Sequence, residues 1–95
     1  MIELVISWQA RIDLKEIADY IARDNTDRAQ SFIDELLAKI DAICEHPLSY
    51  RLRTEWRPDL RSSTHHGYHI IFRLGANRVE IARVMHGSRD IPNLL

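Results

Sequence analysis

Two adjacent runs in the last third of the chain, Tyr68-His69-Ile70-Ile71-Phe72-Arg73-Leu74 and Val79-Glu80-Ile81-Ala82-Arg83-Val84-Met85-His86, constrain its fold more than any other feature. Both are rich in β-branched and aromatic residues, and Gly75-Ala76-Asn77-Arg78 between them carries turn chemistry, so the pair predicts an antiparallel hairpin. Its register follows from the side chains. Setting Leu74 opposite Val79 gathers Ile70, Phe72, Leu74, Val79, Ile81 and Met85 on one face and places Arg73 across from Glu80 on the other. His69 and His86 share that polar face. Arg83 breaks the pattern, because the register turns it toward the apolar side, where it needs a carboxylate such as Asp90 or an open rim.

The cover for the apolar face lies upstream. Ala10, Leu14, Ile17, Ala18 and Ile21 recur at helical spacing with charged residues opposite, and Ser7 is placed to cap that helix. Asp24-Asn25-Thr26 ends it, with Thr26 available to cap the next. The second helix repeats the stripe through Ala29, Phe32, Ile33, Leu36, Leu37, Ile40 and Cys44, and Pro47 stops it. So short a connection returns the second helix antiparallel to the first, as a helical hairpin. Ile2 to Ile6 read as a short strand, Leu48 to Asp59 as a polar loop, and Leu60 to Thr64 as a strand ending at the turn His65-His66-Gly67. The expectation is a single α+β domain over residues 1–95, of order β-α-α-β-β-β, with the helical hairpin on one face of a small, mainly antiparallel sheet.

Composition narrows the function classes. The chain has 95 residues, 45% apolar and 28% charged, enough for a core without disulfides or a structural metal. Cys44, the lone cysteine, reads as core filler and fits a reducing cytoplasm. Met1-Ile2-Glu3-Leu4-Val5-Ile6 carries no basic leader and is too short for a membrane span. Net charge is −1, yet residues 1–45 hold ten acidic and five basic residues while residues 46–95 hold eight basic and four acidic, together with all five histidines. That asymmetry points to a basic working surface on one part of the fold.

Three constellations could carry chemistry. Arg61, Tyr68, Arg73, Arg83 and His86 on neighbouring strands could form a ribonuclease site, His86 supplying acid or base and the arginines neutralising phosphate. Against this, Arg73 has Glu80 as a partner, His86 can simply end a strand, and a sequence pI of 6.5 is low for docking on ribosomal RNA. The second is a metal set drawn from His65, His66, His69 and His86. It lacks a cysteine partner and a helical i, i+4 pair, so a polar turn is the better account and no metal is expected. There is likewise no phosphate-cradling glycine loop and no nucleophile elbow, so no cofactor is expected. The third is a binding surface of Arg51, Arg53, Trp56, Arg57 and Arg61, residue types that anchor interfaces, although Trp56 could equally belong to the core edge. The apolar tail Ile91-Pro92-Asn93-Leu94-Leu95 either packs over the sheet or awaits a partner.

The hairpin ending in His86-Gly87-Ser88-Arg89-Asp90 resembles the ParE branch of the RelE/ParE family of bacterial toxins. Ala10-Arg11-Ile12-Asp13-Leu14-Lys15-Glu16-Ile17, Tyr20-Ile21-Ala22, the Phe32 to Ile43 helix and His46-Pro47 are similar to that family in the same order. The resemblance implies the toxin of a type II toxin-antitoxin system, poisoning DNA gyrase and neutralised by a cognate antitoxin whose C-terminal segment wraps the toxin. DNA contact would then come only through the antitoxin complex, which represses its own operon. Arg73, Arg83, His86, Arg89 and Asp90 match the family's C-terminal pattern; with the loop cluster, the first four complete the expected partner-binding set. The alternative is a RelE-like, ribosome-dependent messenger RNA endonuclease, and a third possibility is a toxin reduced to binding its antitoxin.

Overall fold

The computed structural model describes residues 2–95. Its elements are strand β1 (Glu3–Ile6), helices α1 (Trp8–Ala22) and α2 (Thr26–Glu45), a short 3-10 turn at Pro47–Ser49, strands β2 (Leu60–His65), β3 (Tyr68–Gly75) and β4 (Arg78–His86), and a terminal helical turn α3 (Ile91–Leu94). The sheet order is β1-β4-β3-β2. β1 runs parallel to β4 at one edge, and the other neighbours are antiparallel. The β-α-α-β-β-β order and the α+β class are those the sequence predicts.

The helices form where the apolar stripes lie. Ser7 caps α1, its hydroxyl accepting from the Ala10 N–H at 3.0 Å. Asn25, not Thr26, caps α2: its Oδ1 accepts from the Arg28 N–H at 3.0 Å, and Thr26 is already the first helical residue. Ala10 and Ile17 of α1 and Phe32, Leu36, Ile40 and Ile43 of α2 bury against Ile70, Phe72, Val79, Ile81 and Val84 of the hairpin. Leu37, expected in this stripe, lies 41% exposed, and Ile43 takes the buried position instead. Cys44 is partly buried on the same core, and that burial raises its thiol pKa.

The hairpin register is the expected one at its turn end. Leu74 pairs with Val79 and Arg73 with Glu80, and the turn passes through Ala76 and Asn77, the latter at φ +60°. Beyond that the expectation fails. Phe72 pairs with Ile81 but Ile71 pairs with Arg83, so Ala82 is an extra residue on β4, a β-bulge. A one-residue slip exchanges faces. Val84 therefore joins the helix-side core while Met85 moves to the opposite face, and His86 pairs with Tyr68 on the helix side instead of pointing away from it.

The opposite face is not simply polar. Ile71 and Met85 are fully covered there by Trp56, Leu60 and Ile91, with Leu95 packed against them. The Leu48 to Asp59 loop thus supplies core, and the tail packs over the sheet. Of the two roles open to Trp56, burial to 9% exposure gives the core one.

Arg83 shows how the bulge is fixed. Its expected carboxylate partner is present but is Asp13 of α1, not Asp90, which instead accepts from Asn93 Nδ2 at 2.6 Å. Because Arg83 pairs with Ile71 on the second face, its guanidinium reaches α1 round the open edge of β4. It donates to both Asp13 carboxylate oxygens, at 2.8 and 2.9 Å, and to the Leu94 carbonyl at 2.7 Å. Asp13 Oδ2 also accepts from the Val84 N–H at 2.9 Å. β1 ends opposite Ile81, and Ser7 then takes over the edge, its N–H donating to the Ile81 carbonyl and its hydroxyl to that of Ala82.

Asp13→Ala leaves the buried Val84 N–H without its acceptor and the partly exposed Arg83 guanidinium with only the Leu94 carbonyl, and is expected to cost about 2 kcal/mol of stability in urea unfolding. A loss below about 1 kcal/mol would show that Arg83 finds another acceptor. Trp56→Ala opens a cavity over Ile71 and Met85 and is expected to cost about 3 kcal/mol in the same measurement; an unchanged midpoint would return Trp56 to the surface.

Candidate functional site

The five residues of the possible ribonuclease site do not converge. Arg61 donates to the Tyr50 carbonyl at 2.6 Å. Arg73, near the other end of β3 from Tyr68, is clamped between Glu80 at 2.9 Å and Asp59 at 3.2 Å. Arg83 is held by Asp13 as described. Hydrogen bonding to Glu80 and Asp13 respectively raises the pKa of both guanidinium groups, so they remain charged and their charge is met inside the protein.

Only Tyr68 and His86 meet, edge to face with ring centroids 5.0 Å apart. They line a shallow cleft of about 210 Å³ with Glu16 and Tyr20 of α1 and with Arg89. His86 Nδ1 accepts from the Ser88 N–H at 3.1 Å and lies 2.8 Å from the Ser88 hydroxyl. A backbone N–H can only donate, so Nδ1 is an acceptor and Nε2 is the ring's remaining edge. That edge lies against Gly67, where an added Cβ would come within 2.9 Å of Nε2. Gly67, at φ +82°, is thus required both by its turn and by this close approach. A second cleft, of about 320 Å³ on the far face, is lined by Ser7, Asp59, Arg73, Glu80, Arg83 and Leu94. Arg73 and Arg83 there are paired with Glu80, Asp59 and Asp13, whereas Arg57, which also lines the cleft, makes no ion pair among the described residues.

The loop cluster is also largely bound within the fold. Arg53 stacks on the Trp56 ring with its guanidinium carbon 3.9 Å from the centroid, and donates to Glu55 at 2.9 Å and Ser62 at 2.8 Å. Arg57 donates to the Trp56 carbonyl at 2.7 Å and reaches the carbonyls of Pro92 and Leu95, tying the loop to the tail. Arg51 is largely exposed, 3.8 Å from Glu55. Arg57, Arg61, Arg78 and Arg89 make no ion pair among the described residues.

Of the four histidines of the possible metal set, only His65 and His66 come together, their ring centroids 4.5 Å apart. His69 lies under Trp56, ring centroids 5.2 Å apart, on the opposite face from His86. His65 and His66 lie over Phe32 with Glu35 of α2 between helix and turn. Glu35 has no counterpart in the sequence reading, since on an amphipathic helix a glutamate reads as part of the solvated face. Its carboxyl is drawn down to about 2, chiefly by hydrogen bonds from Arg28 and His65.

The surface is a polar-rimmed sheet and helical hairpin in which Arg53, Arg61, Arg73 and Arg83 are bonded within the fold. A family model described as "ParE toxin of type II toxin-antitoxin system, parDE" matches residues 4–91, nearly the whole chain. The protein belongs to this family of toxins. Among solved structures, a chain titled "Chromosomal ParDE TA system from P. aeruginosa" superposes with a TM-score of 0.79 at 19% identity, over 90% of this chain and 96% of that one, and so shares the fold. No curated protein matches the sequence. No helix among the described residues is long and apolar enough to cross a membrane.

Burial beneath Trp56, reinforced by Arg53 and His86, lowers the His69 pKa. A base whose folded pKa lies below its unfolded value of about 6.5 binds more protons when unfolded, so its contribution is complete above that pH and declines as pH falls through the folded value. Stability should therefore decline from pH 7.5 to 5.5, and His69→Gln should flatten the decline. The same slope in urea unfolding of both proteins would assign the effect to other groups.

Proposed function

We propose that residues 1–95 act as one domain in the cytoplasm, arresting growth by inhibiting DNA gyrase, and that a cognate antitoxin neutralises the protein by covering its sheet rim and helical hairpin. Membership of the toxin family supports the antitoxin partner, as does likeness to a structure titled as a toxin-antitoxin system. DNA would be contacted only through that antitoxin complex. The observation that carries inhibition over RNA cleavage is the state of the possible acid and base. His86 Nδ1 is loaded by Ser88, its Nε2 faces Gly67, and Arg73 and Arg83 are neutralised by Glu80 and Asp13. Proton transfer and phosphate stabilisation need those groups free and convergent.

For partner contact, Arg51 and Arg89 are the members of the expected set best placed, since both are exposed. Arg57 and His86 are exposed as well but already carry internal bonds, and Arg53, Arg61, Arg73 and Arg83 shape the surface from within.

Two assays on the purified protein separate the targets: supercoiling by gyrase, and integrity of messenger RNA in a translating extract. Inhibited supercoiling with intact RNA is expected; ribosome-dependent cleavage with untouched gyrase would reverse the assignment. In growing cells, His86→Ala is expected to keep most of the toxicity. A folded variant that has lost all toxicity would restore the nuclease.

A further inference from the structure

We propose that Glu35, His65 and His66 form a binding site for a divalent transition metal, zinc foremost, which clasps α2 to the turn between β2 and β3. A carboxylate oxygen of Glu35 and one nitrogen from each imidazole all lie within 4.8 Å of one another. Two histidines and a carboxylate are a donor set for zinc and its neighbours; calcium and magnesium would require oxygen ligands throughout.

Two further observations show the set as held in place. His66 sits at φ +47° and Gly67 at φ +82°, so together they form the two-residue turn in which both positions are left-handed. Asparagine is the residue preferred before that glycine, and a histidine there takes up backbone strain of the kind found at ligand sites. Its ring is exposed and lies 4.5 Å from that of His65 and 6.1 Å from Phe32. Glu35, for its part, is aimed by the surrounding shell: Arg28 Nη1 donates to Oε2 at 2.6 Å and Nη2 reaches Oε1 at 3.5 Å, with Oε1 2.7 Å from His65 Nε2. Such outer bonds orient metal-binding carboxylates.

Loading the site requires small movements. Metal–nitrogen and metal–oxygen bonds of about 2.0–2.1 Å at tetrahedral angles place ligand atoms roughly 3.4 Å apart, so the Glu35–His65 contact opens while His66 closes in. Any proton on His65 Nε2 moves to Nδ1 or leaves to solvent, since the metal takes the lone pair. Three protein ligands leave the fourth position to water. The Arg28 cation opposes the metal's charge and keeps the site weaker than a closed four-ligand one.

The test uses the whole, chelator-treated protein with zinc chloride alone, followed by calorimetric titration and thermal unfolding, and with cobalt(II) followed by its visible absorption. Saturating zinc is expected to raise the unfolding midpoint by about 4 °C or more. His66→Asn supplies the residue the turn prefers, so the variant should fold at least as well without metal and yet lose at least tenfold in zinc affinity. Glu35→Gln should lose affinity as well. No zinc-induced shift in the unaltered protein, equal zinc affinity in His66→Asn, or an effect abolished by His69→Gln instead would each overturn the site.

Discussion

The carboxylate of Asp13 joins the two halves of the molecule. It accepts the Val84 N–H at the edge of β4 just where β1 has ended, and it neutralises the Arg83 guanidinium that the bulge at Ala82 sends round that edge. The Val84 N–H buried without a partner would be costly, and one acidic residue on α1 satisfies it while pairing the partly exposed guanidinium. The bulge in turn decides which side chains face the helices beyond Ile81. Val84 rather than Met85 enters the main core, Met85 is released to pack with Trp56 and Ile91, and His86 is brought beside Tyr68. The second core and the Tyr68–His86 cleft both depend on that single displaced residue.

This explains which parts of the fold were legible in the sequence. Helical stripes and turn residues are local signals, so the helices, their hairpin and the Arg73–Glu80 register could be read directly. A bulge leaves no local mark in Ile81-Ala82-Arg83-Val84, because every residue there is compatible with continuous pairing. Its trace was indirect: Arg83 would not fit an unbroken register. The carboxylate it required lies 70 positions away, and Asp13 on a helix that is polar over most of its surface reads as one more solvated charge. Asn25 against Thr26 as the cap is a one-residue ambiguity of the same local kind.

The candidate site was legible in its residue types but not in their roles. The cluster Arg51, Arg53, Trp56, Arg57 and Arg61 reads as an interface because arginine and tryptophan anchor interfaces, yet the same chemistry closes a small fold from within. Arg53 covers the Trp56 ring, Arg57 ties loop to tail and Arg61 holds the Tyr50 carbonyl. A loop of polar composition thus contributes Trp56 to the second core. Glu35 was invisible for a different reason: its relation to His65 and His66 exists only once α2 is laid against the sheet.

The charge asymmetry takes on a different meaning in this light. An excess of arginine in residues 46–95 facing an excess of acid in residues 1–45 resembles a basic working surface, yet the ion pair between Arg83 and Asp13 and the contact between His65 and Glu35 cross that division. Part of the asymmetry is complementarity between the helical hairpin and the sheet, consumed in folding. A surface reduced in this way has a weaker net field with which to hold a polyanion, since phosphate binding scales with the number of cations free to replace counterions. A folded or folding polypeptide asks less of net charge and more of shape and a few exposed anchors. The internal pairing of Arg53, Arg73 and Arg83 is the physical argument behind the proposal of a protein target in place of RNA.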